Sequence, residues 1–343
     1  MSFITLGIAF TAIMFTLIIS PFFIWLNRRL SIVDVPGREP HKQHISPTPI
    51  AGGQVLVSTL LVIGLVNGVL RLPEIQPILL PAAVVFIFGL WDDIKGISPI
   101  WKFLGQLLAS VILIYSGLQV LLFSHQWLNY LISILWLVGI TNAYNFVDSM
   151  DGLVLGLGGL AAAFYVLVTY DATQLSLSYL SLIIFGASIG AFYFNSRPAK
   201  YFMGDSGSQL MGFLLASIAI AYNPVGFEPY VSWFIPILLM AIPIFDTVLI
   251  VFSRLRRGTS IFKGANDHTY HRLVALGMDP NRAVLTMQIM AFLLSSLAFI
   301  SLPLAPIYAN LIFAGVVLIG ILLVVYLDFS KSWTTNDSQS YKN

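Results

Sequence analysis

The chain has 343 residues, 58% of them hydrophobic and only 9% charged. Soluble domains carry about 25% charged residues, so this composition excludes an ordinary soluble globular protein. The absence of cysteine excludes disulfides and thiolate metal sites, and a net charge of +2 decides nothing until the charges are placed along the chain.

Apolar runs of about 20 residues, each long enough to cross a bilayer, recur from end to end. The first, "SFITLGIAFTAIMFTLIISPFFIWL", is too long for a signal-peptide core and lacks both a basic start and a small-residue cleavage site. It is expected to persist as a span. Eleven candidate spans fall near 2–26, 50–70, 76–91, 100–123, 127–147, 152–170, 175–195, 208–223, 231–253, 281–302 and 306–328. The expected fold is therefore an all-α integral membrane protein with one polytopic domain over 1–330. The polar tail 331–343, "KSWTTNDSQSYKN", has no apolar periodicity and is expected to be disordered.

Cytoplasmic loops collect Lys and Arg. With the N-terminus outside, every basic residue except Arg71 falls on the inner side, and the C-terminus ends inside. A missed or invented span would scramble that separation. The acidic residues gather on the same side, with only Glu74, Asp171 and Glu228 outside. Carboxylates have no such topological bias, so their clustering needs a chemical cause.

Five polar clusters lie at inner helix ends or in inner loops. "DVPGREPHKQHISPTPIAGG" carries Arg38, His41 and His44 in a Pro- and Gly-rich loop. It reads equally as a stiff connector or as a substrate contact. In "GLWDDIKGISPIWKFLGQ", Asp92 and Asp93 close the third span and Lys102 opens the fourth. Adjacent carboxylates repel, and a nearby cation relieves them.

"NAYNFVDSMDGL" places Asn142, Asn145 and Asp148 at three-residue steps, each about 60° short of a full turn, so that they share a helix face about 120° wide. Asp151 joins them only if the helix ends, and Gly152 suits a left-handed cap. Such oxygen ligands suit Mg²⁺ or Mn²⁺, held through one or two carboxylates plus substrate phosphates.

"RPAKYFMGDSGSQLMGF" sets Asp205 in a Gly/Ser loop before a helix, where backbone N–H groups can cradle phosphate. "SRLRRGTSIFKGANDHTYHRL" is a long basic loop with Arg254, Asp267, His268, His271 and Arg272. Its histidines lack a third zinc ligand at the usual spacing, and its arginines favour phosphate. Asp246, within the ninth span, is expected to support the site from behind, because an intramembrane carboxylate is costly unless functional or paired. The whole set fits phosphoryl transfer at one membrane face. A transporter would place its ionisable groups near the midplane instead, and a purely structural membrane protein has no need of stacked carboxylates.

These motifs, with "PIFDT" and "DHTYHRL" in the same order and at the same intervals, resemble the polyprenyl-phosphate N-acetylhexosamine-1-phosphate transferases, the family of WecA, TagO and MraY. The resemblance runs from about Asp34 to Leu276. It implies that a polyprenyl phosphate attacks the β-phosphorus of a UDP-sugar, giving a lipid-linked sugar diphosphate and UMP with Mg²⁺. The matching positions imply Asn145 and Asp205 as metal ligands and Asp92, Asp93 and Lys102 as catalytic groups. They also imply Asp148 and Asp151 on the nucleotide side, and His268, His271 and Arg272 around the diphosphate, with His44 and Asn142 as further substrate contacts.

Expected partners are the UDP-sugar, the polyprenyl phosphate and membrane lipid. A homodimer is left open, no nucleic acid is expected, and the site should face the cytoplasm from the plasma membrane. The second phosphate pKa is near 6, so the acceptor is already dianionic and Asp92 should orient rather than abstract a proton. Tyr270 stands where WecA-like members have a middle His, and Ala265 where they have Asp. The MraY-type triple histidine is absent, which points to a GlcNAc-like donor over a muramoyl-pentapeptide.

Overall fold

The computed structural model describes residues 3–35, 46–224, 232–260 and 266–330. His44 and the tail at 331–343 lie outside them. The helices are α1 (Phe3–Arg29), α2 (Gly52–Val66), α3 (Gln76–Lys95), α4 (Pro99–Tyr115), α5 (Gln126–Val147), α6 (Leu153–Asp171), α7 (Leu175–Asn195), α8 (Gly204–Ala221), α9 (Ile235–Leu239), α10 (Ala241–Arg257), α11 (Thr269–Ala275), α12 (Pro280–Ser301) and α13 (Pro306–Phe329). Among the described residues, seven helices are long and apolar enough to cross a membrane, and α2 and α4 are shorter apolar helices. A two-stranded antiparallel pair, β1 (Val33–Asp34) with β2 (Thr48–Pro49), is the one sheet described. The protein is thus an all-helical, multi-pass integral membrane protein.

Two expected spans differ from the structure. The run 100–123 stops being helical at Tyr115. Beyond it the backbone turns at Gly117 (φ 92°) and runs beside α5. There Val120 N–H donates to Ser133 Oγ (2.8 Å), and Leu122 and Phe123 N–H donate to Asn129 Oδ1 (3.2 and 2.9 Å). Polar side chains on α5 satisfy backbone groups that the helix would otherwise have paired, which apolar surroundings require. The run 231–253 is two helices, α9 and α10, broken at Met240. Pro243 has no N–H to donate to the carbonyl four residues back, at Leu239, so the break has a local cause.

The chain divides into two compact units, 1–227 and 228–343. In the first, α8 is the hub. Every residue from Ser206 to Ala219 is buried, and the helix packs on α2, α3, α5, α6 and α7. A helix apolar all round belongs inside. About this hub, α6 and α7 bury 72% and 67% of their apolar windows against 22% for α1, so α1 turns Phe10, Ile18 and Phe22 outward, where lipid would meet them.

Small residues set the approach distances, as membrane packing favours. Gly186 and Gly190 of α7 form a G-x-x-x-G step against α1, and a Cβ on Gly186 would lie 2.7 Å from Ala9 O. Gly89 brings α3 equally close to the start of α8, where a Cβ would meet Ser206 Cα at 2.6 Å. That closeness lets the last turn of α3 reach the first turn of α8.

In the second unit, α10 packs on α12 and α13, and α9 and α11 pack on α12. Leu249, Val324 and Leu327 make a small core against which Phe245 packs. The expected long basic loop contains the short helix α11.

Candidate active site

The first unit assembles its site around the N-terminus of α8. Asp205 lies in the first helical turn, rather than in a loop ahead of it, and Gly204 (φ 67°) supplies the turn that leads in. Asp93 reaches across from α3 as a tertiary cap. Its Oδ1 accepts Asp205 N–H (2.8 Å), and its Oδ2 accepts Ser206 N–H (3.1 Å) and the Ser206 hydroxyl. Helix N-termini leave unpaired donors that an Asp satisfies well. This cap narrows the expected phosphate cradle, because two of the backbone donors of the first turn, those of Asp205 and Ser206, are committed to Asp93.

Asp92 and Lys102 are joined by the tight turn Gly96–Ser98 between α3 and α4. Asp92 Oδ1 accepts Ile97 N–H (2.7 Å), and Lys102 Nζ bridges Asp92 Oδ2 (3.1 Å) and Asp205 Oδ2 (2.7 Å). Of the acidic pair the cation reaches Asp92 alone, and its second partner is Asp205.

Helix α5 supplies the third side. Asn145 Nδ2 donates to Ser208 Oγ (3.1 Å), which in turn donates to Gly204 O (2.9 Å). Asn142 Nδ2 donates to Val138 O (2.8 Å) and Gln106 Oε1 (2.6 Å). The helix ends at Val147, and Gly152 adopts the left-handed conformation (φ 74°) as the residue before α6. Asp148 and Asp151 therefore sit in a turn between helices. Asp151 Oδ2 accepts Ala199 N–H (3.1 Å), and Gly152 N–H donates to Asn195 Oδ1 (3.0 Å), which ties the turn to the segment before α8. Burial pushes the Asp148 carboxyl well above the usual carboxylate range, and the charges of Asp205, Asp93 and Asp151 add to that.

The donor set suits a hard divalent cation. No three His or acidic groups among the described residues form a ready-made metal cage. That fits an ion held by one or two carboxylates plus substrate phosphates. Asp205 and Asn145 supply suitable oxygens, and the excess of carboxylates over the single Lys102 leaves negative charge for a cation to neutralise.

The second unit holds the basic-loop residues. Asp246 lies behind His268. Its Oδ2 pairs with His268 Nδ1 (2.9 Å), and its Oδ1 accepts Thr269 N–H (2.6 Å). The His268 and His271 rings stand 5.7 Å apart. Arg272 is fully buried, with its Nη1 donating to Asp328 Oδ1 (3.0 Å) and its Nε to Asp267 O (3.0 Å). It is built into the interior of this unit. Arg254 grips Asp267 through Nε (3.0 Å) and Nη2 (2.7 Å), and Arg257 adds a contact at 2.9 Å. Burial raises the Asp267 pKa, but the hydrogen bonds and charge of Arg254, helped by His268 and Arg257, outweigh it and hold the carboxyl below its ordinary range.

Sequence reasoning passed over Gln106, Gln209 and Asp328. Two buried amides within apolar helices were themselves a signal, since polar groups at membrane depth need a partner or a purpose. Asp328, at the end of an apolar helix, was a signal of the same kind.

Residues 75–223 match the family described as glycosyl transferase family 4. The chain belongs to this family. It is 32% identical over 299 residues to the decaprenyl-phosphate N-acetylglucosaminephosphotransferase of Mycobacterium tuberculosis, covering 76% of this chain and 73% of that one. It is 29% identical over 310 residues to the probable undecaprenyl-phosphate N-acetylglucosaminyl 1-phosphate transferase of Bacillus subtilis, covering 87% and 85%. It is also similar to the phospho-N-acetylmuramoyl-pentapeptide-transferase of Halalkalibacterium halodurans, 30% identical over 312 residues, covering 82% and 93%.

Proposed function

We propose that the chain transfers a sugar 1-phosphate, GlcNAc 1-phosphate first, from a UDP-sugar to a polyprenyl phosphate. An acceptor phosphate oxygen bonds to the β-phosphorus, the bond from that phosphorus to the α–β bridging oxygen breaks, and UMP leaves with the electron pair. The observation that carries this reading is the Asp92–Lys102–Asp205 bridge at the capped start of α8. It sets an ammonium beside two carboxylates where two anionic substrates must meet.

In this reading Lys102 receives phosphate oxygens and offsets their mutual repulsion. Asp92, pinned by Ile97 N–H, aims Lys102 and takes no proton, because the acceptor is already dianionic near neutral pH. Asp93 holds Asp205 in place by fixing the first turn of α8. Asn145, held by Ser208, and Asp205 would hold Mg²⁺, which when bound supplies positive charge for the diphosphate oxygens. Within the second unit, Asp246 orients the His268 ring, which suits that ring to meet a phosphate oxygen.

Eleven crossings with the N-terminus outside remain our topology, supported by the charge separation along the chain. They put this chemistry on the cytoplasmic face of the plasma membrane. A UDP-MurNAc-pentapeptide donor is the second reading, favoured by the Halalkalibacterium relative. The test mixes purified protein in detergent with undecaprenyl phosphate, Mg²⁺ and UDP-GlcNAc, then measures UMP and lipid-linked product with EDTA as control. Metal-dependent release of both is expected. No turnover with any UDP-acetylhexosamine or with the muramoyl donor, from well-folded protein, would overturn the reading.

A further inference from the structure

A chain of carboxamides runs through the first unit and ends on Asp205. Asn142 Nδ2 on α5 donates to Val138 O (2.8 Å) and to Gln106 Oε1 on α4 (2.6 Å). Gln106 Nε2 donates to Gln209 Oε1 on α8 (3.0 Å), and Gln209 Nε2 donates to Asp205 Oδ2 (2.8 Å). Gln106 and Gln209 are 2% and 1% exposed, so water cannot substitute for these partners.

The direction of this relay is fixed at both ends. A backbone carbonyl and an ionised carboxylate only accept, whereas each amide has one accepting and one donating end. Flipping any one amide would set oxygen against oxygen or NH₂ against NH₂, and a buried polar group left unsatisfied is costly. The three amides therefore act as one rigid unit linking α4, α5 and α8.

Its last donor lands on the same Asp205 oxygen that Lys102 contacts at 2.7 Å. Two donors from different directions on Oδ2 fix the rotation of the carboxylate and leave Oδ1 as the oxygen they do not occupy. We infer that Asn142, Gln106 and Gln209 are positioning residues that lock the Asp205 carboxylate so that Oδ1 is presented to a divalent cation. The inference rests on the metal role given to Asp205 above. Partners behind a metal ligand are worth about 10- to 100-fold in affinity or activity, and Gln209, held by Gln106 and Asn142, is such a partner of Asp205.

The test reads cation binding without turnover. Purified full-length protein in detergent is titrated with Mn²⁺ by electron paramagnetic resonance, with UDP-GlcNAc present and the lipid acceptor withheld. Gln209→Met keeps the side-chain length and removes the final donor. Gln106→Met breaks the relay one link earlier and leaves α8 untouched. Thermal unfolding without metal identifies a variant that fails to fold, and the other then carries the result. The expected outcome is Mn²⁺ affinity at least about 10-fold weaker in the folded variants. Wild-type-like affinity in either folded variant would overturn the inference while leaving the proposed reaction standing. No saturable binding by the wild type would overturn the metal role of Asp205 and this inference together. Weakened binding in the variants, with no lipid-linked product from the wild type, would support the positioning relay and reject the reaction instead.

Discussion

Around the start of α8, Lys102 bridges the carboxylates of Asp92 and Asp205, with Asp93 and Asp148 close by. In the second unit the proportion is reversed, with Arg254, Arg256, Arg257 and Arg272 enclosing Asp267 and Asp328. The arginines bind their acids through direct contacts, with Arg254 and Arg272 buried and Arg256 and Arg257 nearer the surface. The α8 cluster has too little positive charge of its own, and it stands in a polytopic membrane fold where surplus charge is costly. The two clusters differ in burial: the Arg272–Asp328 and Arg254–Asp267 pairs are closed off in the interior of their unit, whereas Lys102, Asp92 and Asp205 are partly exposed. The exposure of paired charges therefore separates structure from function better than the mere presence of charged residues does.

The sharpest way to break that contrast is Asp205→Asn. It should drop turnover below about 1% of wild type while membrane insertion and thermal unfolding stay near normal, as read by UMP release and a melting curve. Asp328→Ala tests the opposite region, where the effect should fall on stability. Removing one member of a buried pair strands Arg272 and should cost about 3–5 kcal/mol, visible as a lower unfolding temperature. A normal melt would mean that the arginine cluster is not structural.

Asp93→Asn lies between these two. It replaces an acceptor-only cap with an amide that turns NH₂ toward the α8 donors, at a cost of about 1–2 kcal/mol. Turnover should fall in step with stability. A large loss of rate at an unchanged melting temperature would give Asp93 a direct chemical role. The smallest effect is in pH. A carboxyl held below its ordinary value contributes stability that is complete above about pH 3.9 and is lost as pH falls through its depressed value. The Asp267 contribution should therefore be flat from about pH 8 to 5 and decline only below about 4, and Asp267→Asn should remove that part of the acid limb of a melting profile.

Much of this organisation was legible in the sequence, and the exceptions have physical causes. Apolar runs located the long helices because a bilayer-length stretch leaves little ambiguity. The carboxylate clusters flagged Asp92, Asp93, Asn145, Asp148 and Asp205, which the fold does gather. What was hidden depends on neighbours distant along the chain. The apolar residues after Tyr115 look helical until Asn129 and Ser133 are seen to take their backbone donors. Asp93 looks like half of an acidic pair until α8 arrives beneath it. Arg272 looks like a phosphate ligand until Asp328, far along the chain, encloses it. Gln106 and Gln209 carry no charge and so drew no notice, although their burial in apolar helices was the available clue.

The bridge made by Lys102 has a bearing on inhibition. Its ammonium serves as counter-ion to Asp92 and Asp205 at once, so the two acids depend on one cation that both share. A neutral compound that pushes this lysine aside would leave the two acids facing each other and lose affinity for it. A compound carrying either an amine to replace Lys102 or an anion to receive it avoids that penalty, and flat uncharged scaffolds are the poorest starting point for this site.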